Sequence, residues 1–309
     1  MNRLSTMAFY DRSVAQMTAA SERLEKAQTQ VATGKRNQTG ADDPLQAPIA
    51  VKLREAISRR EGFQSNIDAA RRSLAMTETG LGAMSDILIR LREITVQAGD
   101  GTLNASDRES LAVEVRAQMD SLMAQMNTKD SDGQYLYSGF KGDTEPFVKQ
   151  LDGSVVFAGD AGKREIQIAE NLSINTRPNG RDTFTRIEAP GGGVTDLISG
   201  LDAFADALEG GVSAAALSAA IDDNVEFLNS ASDKVNSLRS QTGVSLNLLD
   251  AREEALLYEN DTDAIYLGEI ENADAAEAIT EMRLAEATLQ ASQQTFARIA
   301  NLSLFNYIN

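Results

Sequence analysis

Apolar side chains recur at intervals of seven through the region from about Gln46 to Ala98. Leu53, Ile67, Leu74, Leu81 and Leu88 form one stripe. Ala56, Phe63, Ala70, Thr77, Met84, Leu91 and Ala98 form a second, offset by three, and only Arg60 and Thr95 interrupt the first. Alternating steps of three and four residues keep both stripes on one side of a helix, so one long helix is predicted here. At ~1.5 Å per residue it spans roughly 75 Å, whereas a compact globule of this chain length has a radius of gyration near ~20 Å. The expected shape is an elongated rod.

The same reading extends to both sides. Residues 4–33 carry Tyr10, Met17, Leu24 and Val31 seven apart, flanked by Met7, Val14, Ala20 and Ala27; this amphipathic helix should stop at Gly34, with Lys35 and Arg36 suited to its C-terminal dipole. Asn37 to Ala41 is a loop, and Asp42 or Asp43 caps the long helix, with Pro44 at or near its first turn. After Ala98, Gly99-Asp100-Gly101 is a turn and Ser106-Asp107-Arg108-Glu109 reads as a capping box. That box opens a helix through Leu111, Val115, Met119, Leu122 and Met126.

The period changes between Asp130 and Pro190. Short β-favouring runs (Phe147 to Leu151, Ser154 to Ala158, Glu165 to Ile168, Leu172 to Asn175) are punctuated by Asp152-Gly153 and Asn179-Gly180, and predict a small β-rich insert. Helical spacing returns at about Thr195. From Ser213 a long helix carries Ile221, Leu228, Val235, Thr242, Leu249 and Leu256 seven apart. Asn260 to Asp263 reads as a break, and a final helix from about Ala273 to Ser303 has Met282, Leu289 and Phe296 on one face, with Ala285 and Ile299 close by. The chain is thus mainly α, built of long antiparallel helices around a β insert.

Charge sharpens the picture at the ends. The chain of 309 residues has a formal net charge of -17, yet Arg298 is the only charge from Thr288 to Asn309, and only Arg3, Asp11 and Arg12 are charged from Met1 to Ala20. Two such helices pairing only with each other should be marginal, because the backbone entropy lost on ordering them outweighs the apolar burial they gain. Order in these ends is therefore expected to come from packing among many copies. The candidate interface residues are Tyr10, Met17, Leu24, Val31, Met282, Leu289, Phe296, Ile299, Leu304 and Phe305.

An acidic chain lacks the cationic footprint that nucleic acid or an anionic membrane requires. The absence of Cys, His and Trp removes disulfides, thiolate chemistry, imidazole acid/base work and His/Cys zinc sites. Neither a membrane span nor a cleaved secretory leader is expected, and no cofactor or metal. Gly34-Lys35 lacks the upstream glycine of a phosphate loop and is followed by Arg36, so it reads as a helix cap. Asp130-Ser131-Asp132-Gly133 has its glycine too early for a calcium loop and reads as a solvated turn. Asp42-Asp43 has no accompanying electrophile or metal ligand, and the acidic run from Glu253 to Glu286 reads as a solvated helix face. An enzyme is not expected.

Four motifs in order carry a resemblance. Thr33-Gly34-Lys35-Arg36 with Asp42-Asp43-Pro44, then Tyr135-Leu136-Tyr137-Ser138-Gly139-Phe140, then Leu289 to Phe296 (LQASQQTF), and finally Ser303-Leu304-Phe305 resemble the flagellin family, on the side of its hook–filament junction members. The resemblance implies a flagellin-like rod: a terminal coiled-coil polymerisation domain (1–44 and 272–309), a helical rod (45–138 and 191–271) and an outer β-rich insert (139–190). The Tyr135–Phe140 aromatics would pack the joint between rod and insert. It also implies a ring of copies between a second junction protein and flagellin in the extracellular flagellum. Export would proceed without a cleaved leader through the flagellar type III apparatus, with a chaperone on the C-terminal helix. Pro44-Leu45 and the Ser-Leu-Phe tail depart from filament flagellin. A filament subunit and a secreted helical adhesion module are the alternatives.

Overall fold

The computed structural model describes residues 2–150 and 154–308, without the side chains of residues 1–7, 9 and 299–309. The expected turn at Asp152-Gly153 lies outside the described residues. Along the chain run α1 (Asn2–Thr33), α2 (Ala47–Ala98), α3 (Ala105–Met126), β1 (Phe147–Lys149), β2 (Val155–Phe157), β3 (Arg164–Ala169), β4 (Leu172–Arg177), α4 (Gly180–Phe184), β5 (Ile187–Glu188), β6 (Val194–Thr195), α5 (Leu197–Glu209), α6 (Ala214–Glu271) and α7 (Ala275–Ile308). Two compact units result: Arg60–Leu257, and Met1–Arg59 with Tyr258–Asn309.

The core of the first unit is the predicted seam. Leu81, Met84, Leu88, Leu91, Ile94 and Ala98 of α2 are buried against Leu111, Val115, Met119, Leu122 and Met126 of α3, against α5, and against Phe227, Leu228, Ala231 and Val235 of α6. The two apparent interruptions have separate fates. Thr95 is fully buried; its hydroxyl donates to the Leu91 carbonyl (2.7 Å) and accepts from Asn224 Nδ2 of α6 (2.8 Å). The polar gap in one stripe is thus filled by a polar residue of another helix. Arg60 stays half-buried.

The β-rich segment forms three antiparallel hairpins, β1–β2, β3–β4 and β5–β6. The inward residues Ile168 and Ile174 of β3–β4 join Ile67, Ala70 and Leu74 of α2 and Leu249 and Leu256 of α6 in a second core cluster. The aromatic motif lies where strands meet helices. Leu136 and Tyr137 are fully buried, and the Tyr137 ring meets Phe184 edge-on at 5.2 Å, with Phe147 5.7 Å from the Phe184 ring. Among the described residues the Tyr137 hydroxyl has no hydrogen-bond partner, and burial pushes its pKa up. Phe140, by contrast, is 72% exposed, so it packs no joint.

Four local expectations are corrected. The capping box of α3 sits two residues early: Asn104 Oδ1 accepts from Asp107 N and Asp107 Oδ2 accepts from Asn104 N, both at 3.0 Å. The shorter Asp completes the reciprocal pair that Glu was expected to make. Asn179-Gly180 is not a hairpin turn but the start of α4, with Asn179 Oδ1 capping Arg181 N; a Cβ on Gly180 would lie 2.7 Å from Tyr137 Cβ. The acidic cluster Asn260 to Asp263 does not interrupt α6, which continues to Glu271. Without Gly or Pro, such residues cost under ~1 kcal/mol each in a helix, and the break comes instead at residues 272–274. Lastly, Asp130 is no solvated carboxylate. It pairs with the Arg177 guanidinium, at side-chain exposures of 7% and 4%, and also accepts from Asp132 N and Gln134 N. The end of α3 is thereby tied to β4.

Removing one member of that buried pair strands the other charge. Arg177→Met is expected to lower stability by ~3–5 kcal/mol in urea unfolding, and Asp130→Asn added to it should recover part of the loss. Asp160 is half-buried and accepts from Phe140 N (2.9 Å) and Gly162 N (2.7 Å), and these donors hold its pKa below the usual carboxylate range. A depressed pKa in the folded state contributes stability that is complete above the ordinary carboxylate value and fades as pH falls through the folded one. Asp160→Asn should therefore flatten the acid limb of stability against pH, measured by thermal melts between roughly pH 2 and 5.

Candidate subunit interface

The second unit is built on α1 and α7, which lie antiparallel. Their register is fixed at one end by backbone: Gly34, at φ 68°, turns the chain, Ala273 N donates to Gly34 O (2.9 Å) and Arg36 N to Glu271 O (2.7 Å), leaving Lys35 opposite Asn272 in a single antiparallel bridge. Glycine adopts that left-handed conformation without strain. The Glu271 carboxylate gathers Arg54 of α2 and, at 3.9 Å, Lys35, so part of the acidic run is paired and not simply solvated. Asp274 caps α7 through Ala276 N and Glu277 N. In the preceding loop, Asp43 Oδ1 caps the turn into α2 from Leu45 N and Gln46 N. Asp42 closes the loop on Thr39 and Gln38, whose donors lower its pKa, Thr39 most.

At the far end the Tyr10 and Phe296 rings meet edge-on, centroids 4.7 Å apart. Between these clamps the buried residues are small: Ala20 and Ala27 on α1, Ala278 and Ala285 on α7. Met17, Leu24, Met282, Leu289 and Phe296 are only half-buried, whereas Tyr10 and Val31 are exposed at 37% and 40%. The side chains of Ile299, Leu304 and Phe305 lie outside the described residues. Two helices can approach closely over alanine, but a two-helix layer leaves the outer half of each larger side chain in water.

More apolar surface in this unit lies off the predicted stripes. Leu284 of α7 is 67% exposed, and Tyr258 and Ile265, seven apart on α6, are 75% and 67% exposed. The signal for the last two was the same spacing of seven, two positions beyond the buried stripe of Leu249 and Leu256. Polar space is available near the bridge as a groove of about 310 Å³ lined by Gln30, Arg36, Asp274, Glu277 and Glu281. Among the described residues, no cluster of three or more Asp or Glu is placed to hold a metal ion. Nor is any described helix long and apolar enough to cross a membrane.

Residues 4–141 match the bacterial flagellin N-terminal helical region. Along its length the chain is 26% identical to flagellar hook-associated protein 3 of Escherichia coli (strain K12), covering 98% of both chains. The solved structure of flagellar hook-associated protein 3 from Legionella pneumophila superposes with a TM-score of 0.65 at 22% identity, over 71% of this chain and 98% of that one. A flagellin of Clostridium tyrobutyricum is 28% identical, over only 55% of this chain and 44% of its own. The flagellin-like fold, mainly helical with a small β insert, is thus shared with a hook-associated protein, and the flagellin match is partial.

With so little of α1 and α7 fully buried, their amides in the isolated chain should exchange fast. Hydrogen exchange is expected to show weak protection around Leu24 and Leu289 against strong protection from Leu81 to Leu91 of α2.

Proposed function

We propose that the chain is a structural, non-enzymatic subunit of the bacterial flagellum that joins hook to filament. The observation that carries this is the likeness to hook-associated protein 3 from end to end, where flagellin is matched over less than half its length. The physical counterpart is the half-covered α1–α7 layer. Residues 1–44 with 272–309 act as the polymerisation domain, and a ring of copies covers the outer faces of Met17, Leu24, Met282, Leu289 and Phe296. Each side chain completed this way adds ~1.5–3 kcal/mol when fully buried, and summation over a ring converts two marginal helices into a stable layer.

One face of the ring meets a second junction protein on the hook side and the other meets flagellin. The subunit works outside the cell, reached through the flagellar type III apparatus with a chaperone holding the C-terminal helix. Helices that are loose in the single copy suit that passage. Residues 45–138 and 191–271 form the rod, and 139–190 its outer cover.

Cells lacking this protein are expected to complete hooks, make no filaments and release flagellin into the medium. Complementation with Leu289→Asp/Phe296→Asp should fail to restore filaments, while the purified variant keeps the circular-dichroism melt of the Arg60–Leu257 unit. Filaments of normal length on the deleted cells would defeat the reading.

A further inference from the structure

Where β4 and α4 approach α6, the surface holds a polar groove of about 320 Å³. Lys163 enters it from the segment before β3, Lys234 from α6, and Asn175 and Asn179 from β4 and the α4 cap. Neither ammonium has a carboxylate partner among the described residues, although the chain carries 46 acidic side chains against 29 basic ones.

The two asparagines are oriented by their own backbone. Asn175 Oδ1 accepts from Arg177 N (3.0 Å) and Asn179 Oδ1 from Arg181 N (2.9 Å), so in each the amide NH₂ is the end left without a protein partner. Two ammoniums and two amides make four donor groups with no acceptor among the described residues. Thr183 and Thr242, also in the lining, spend their hydroxyl protons on the Asn179 and Leu238 carbonyls and offer only lone pairs. Asp182 is the single carboxylate in the lining.

A ligand complementary to this lining carries negative charge and many acceptors, plus a few hydroxyl donors for the threonines. Ammonium and amide donors to a charged acceptor make the stronger class of hydrogen bond, and the volume falls at the small end of ligand sites. We infer that the groove between α4 and α6 binds an acidic sugar, its carboxylate between Lys163 and Lys234 and its ring hydroxyls against the asparagine amides and threonine oxygens.

Saturation-transfer NMR on the full chain, with D-galacturonate as probe, D-galactose as its neutral counterpart and inorganic phosphate as competitor, tests this. Galacturonate should receive saturation and galactose little; the signal should weaken with added salt. Lys163→Gln/Lys234→Gln, at two exposed positions, should cost about tenfold or more in affinity, as expected for losing hydrogen bonds to a charged group, with an unchanged circular-dichroism melt. Equal binding of galactose, or undiminished binding by the double variant, overturns the site. Displacement of galacturonate by an equal concentration of phosphate overturns the sugar assignment.

Discussion

Water exclusion along a three-four seam is what the larger unit depends on. The inward residues of α2 from Ile67 to Ala98 are covered by α3, α5, α6 and the β3–β4 hairpin, and the non-directional gain from burying them exceeds any capping or ionic term by number alone. The polar contacts then select one arrangement from the many that would hide the same apolar area. Thr95 against Asn224 sets α2 against α6, and Arg177 against Asp130 sets β4 against α3. Arg71 adds to this at the surface by joining Asp250 and Glu253. Its guanidinium is the main cause lowering the Glu253 pKa.

The terminal layer uses the same spacing to the opposite end. Alanine at 20, 27, 278 and 285 lets α1 and α7 approach but buries little area per residue, and the larger side chains beside them are half-covered. A seam of this composition sets register and direction without completing a core. The backbone bridge at Lys35 and Asn272 and the Tyr10–Phe296 contact hold its two ends. Such a layer is suited to being finished by neighbours, because the missing burial lies on its outer faces and not inside it.

The β-rich segment is more than an appendage on the helices. Ile168 and Ile174 complete the α2–α6 cluster, and Leu136, Tyr137, Phe147 and Phe184 continue the main core. Its groove-facing side is set by the same anchoring, since α4 is fixed on Tyr137 and β4 on Asp130.

The helices were legible in the sequence because a seven-residue apolar repeat has one low-energy solution, a helix with a buried stripe. Leu81, Leu88 and Leu91 could be placed inside from spacing alone, whereas in the α1–α7 layer the flanking Ala20 and Ala27 are buried and the stripe residues Met17, Leu24, Met282 and Leu289 are only half-buried. What covers each stripe is not encoded by period. Only the tertiary structure made Thr95 a core residue, because its partner Asn224 lies 129 positions away along the chain, and only it turned Asp130 from a turn residue into half of a buried ion pair. It also carried α6 through Asn260 to Asp263, where weak local preferences yield to the helix on either side. Local chemistry fixes what a segment can be; contacts between distant segments decide which polar side chains are inside and which apolar ones remain for another molecule to cover.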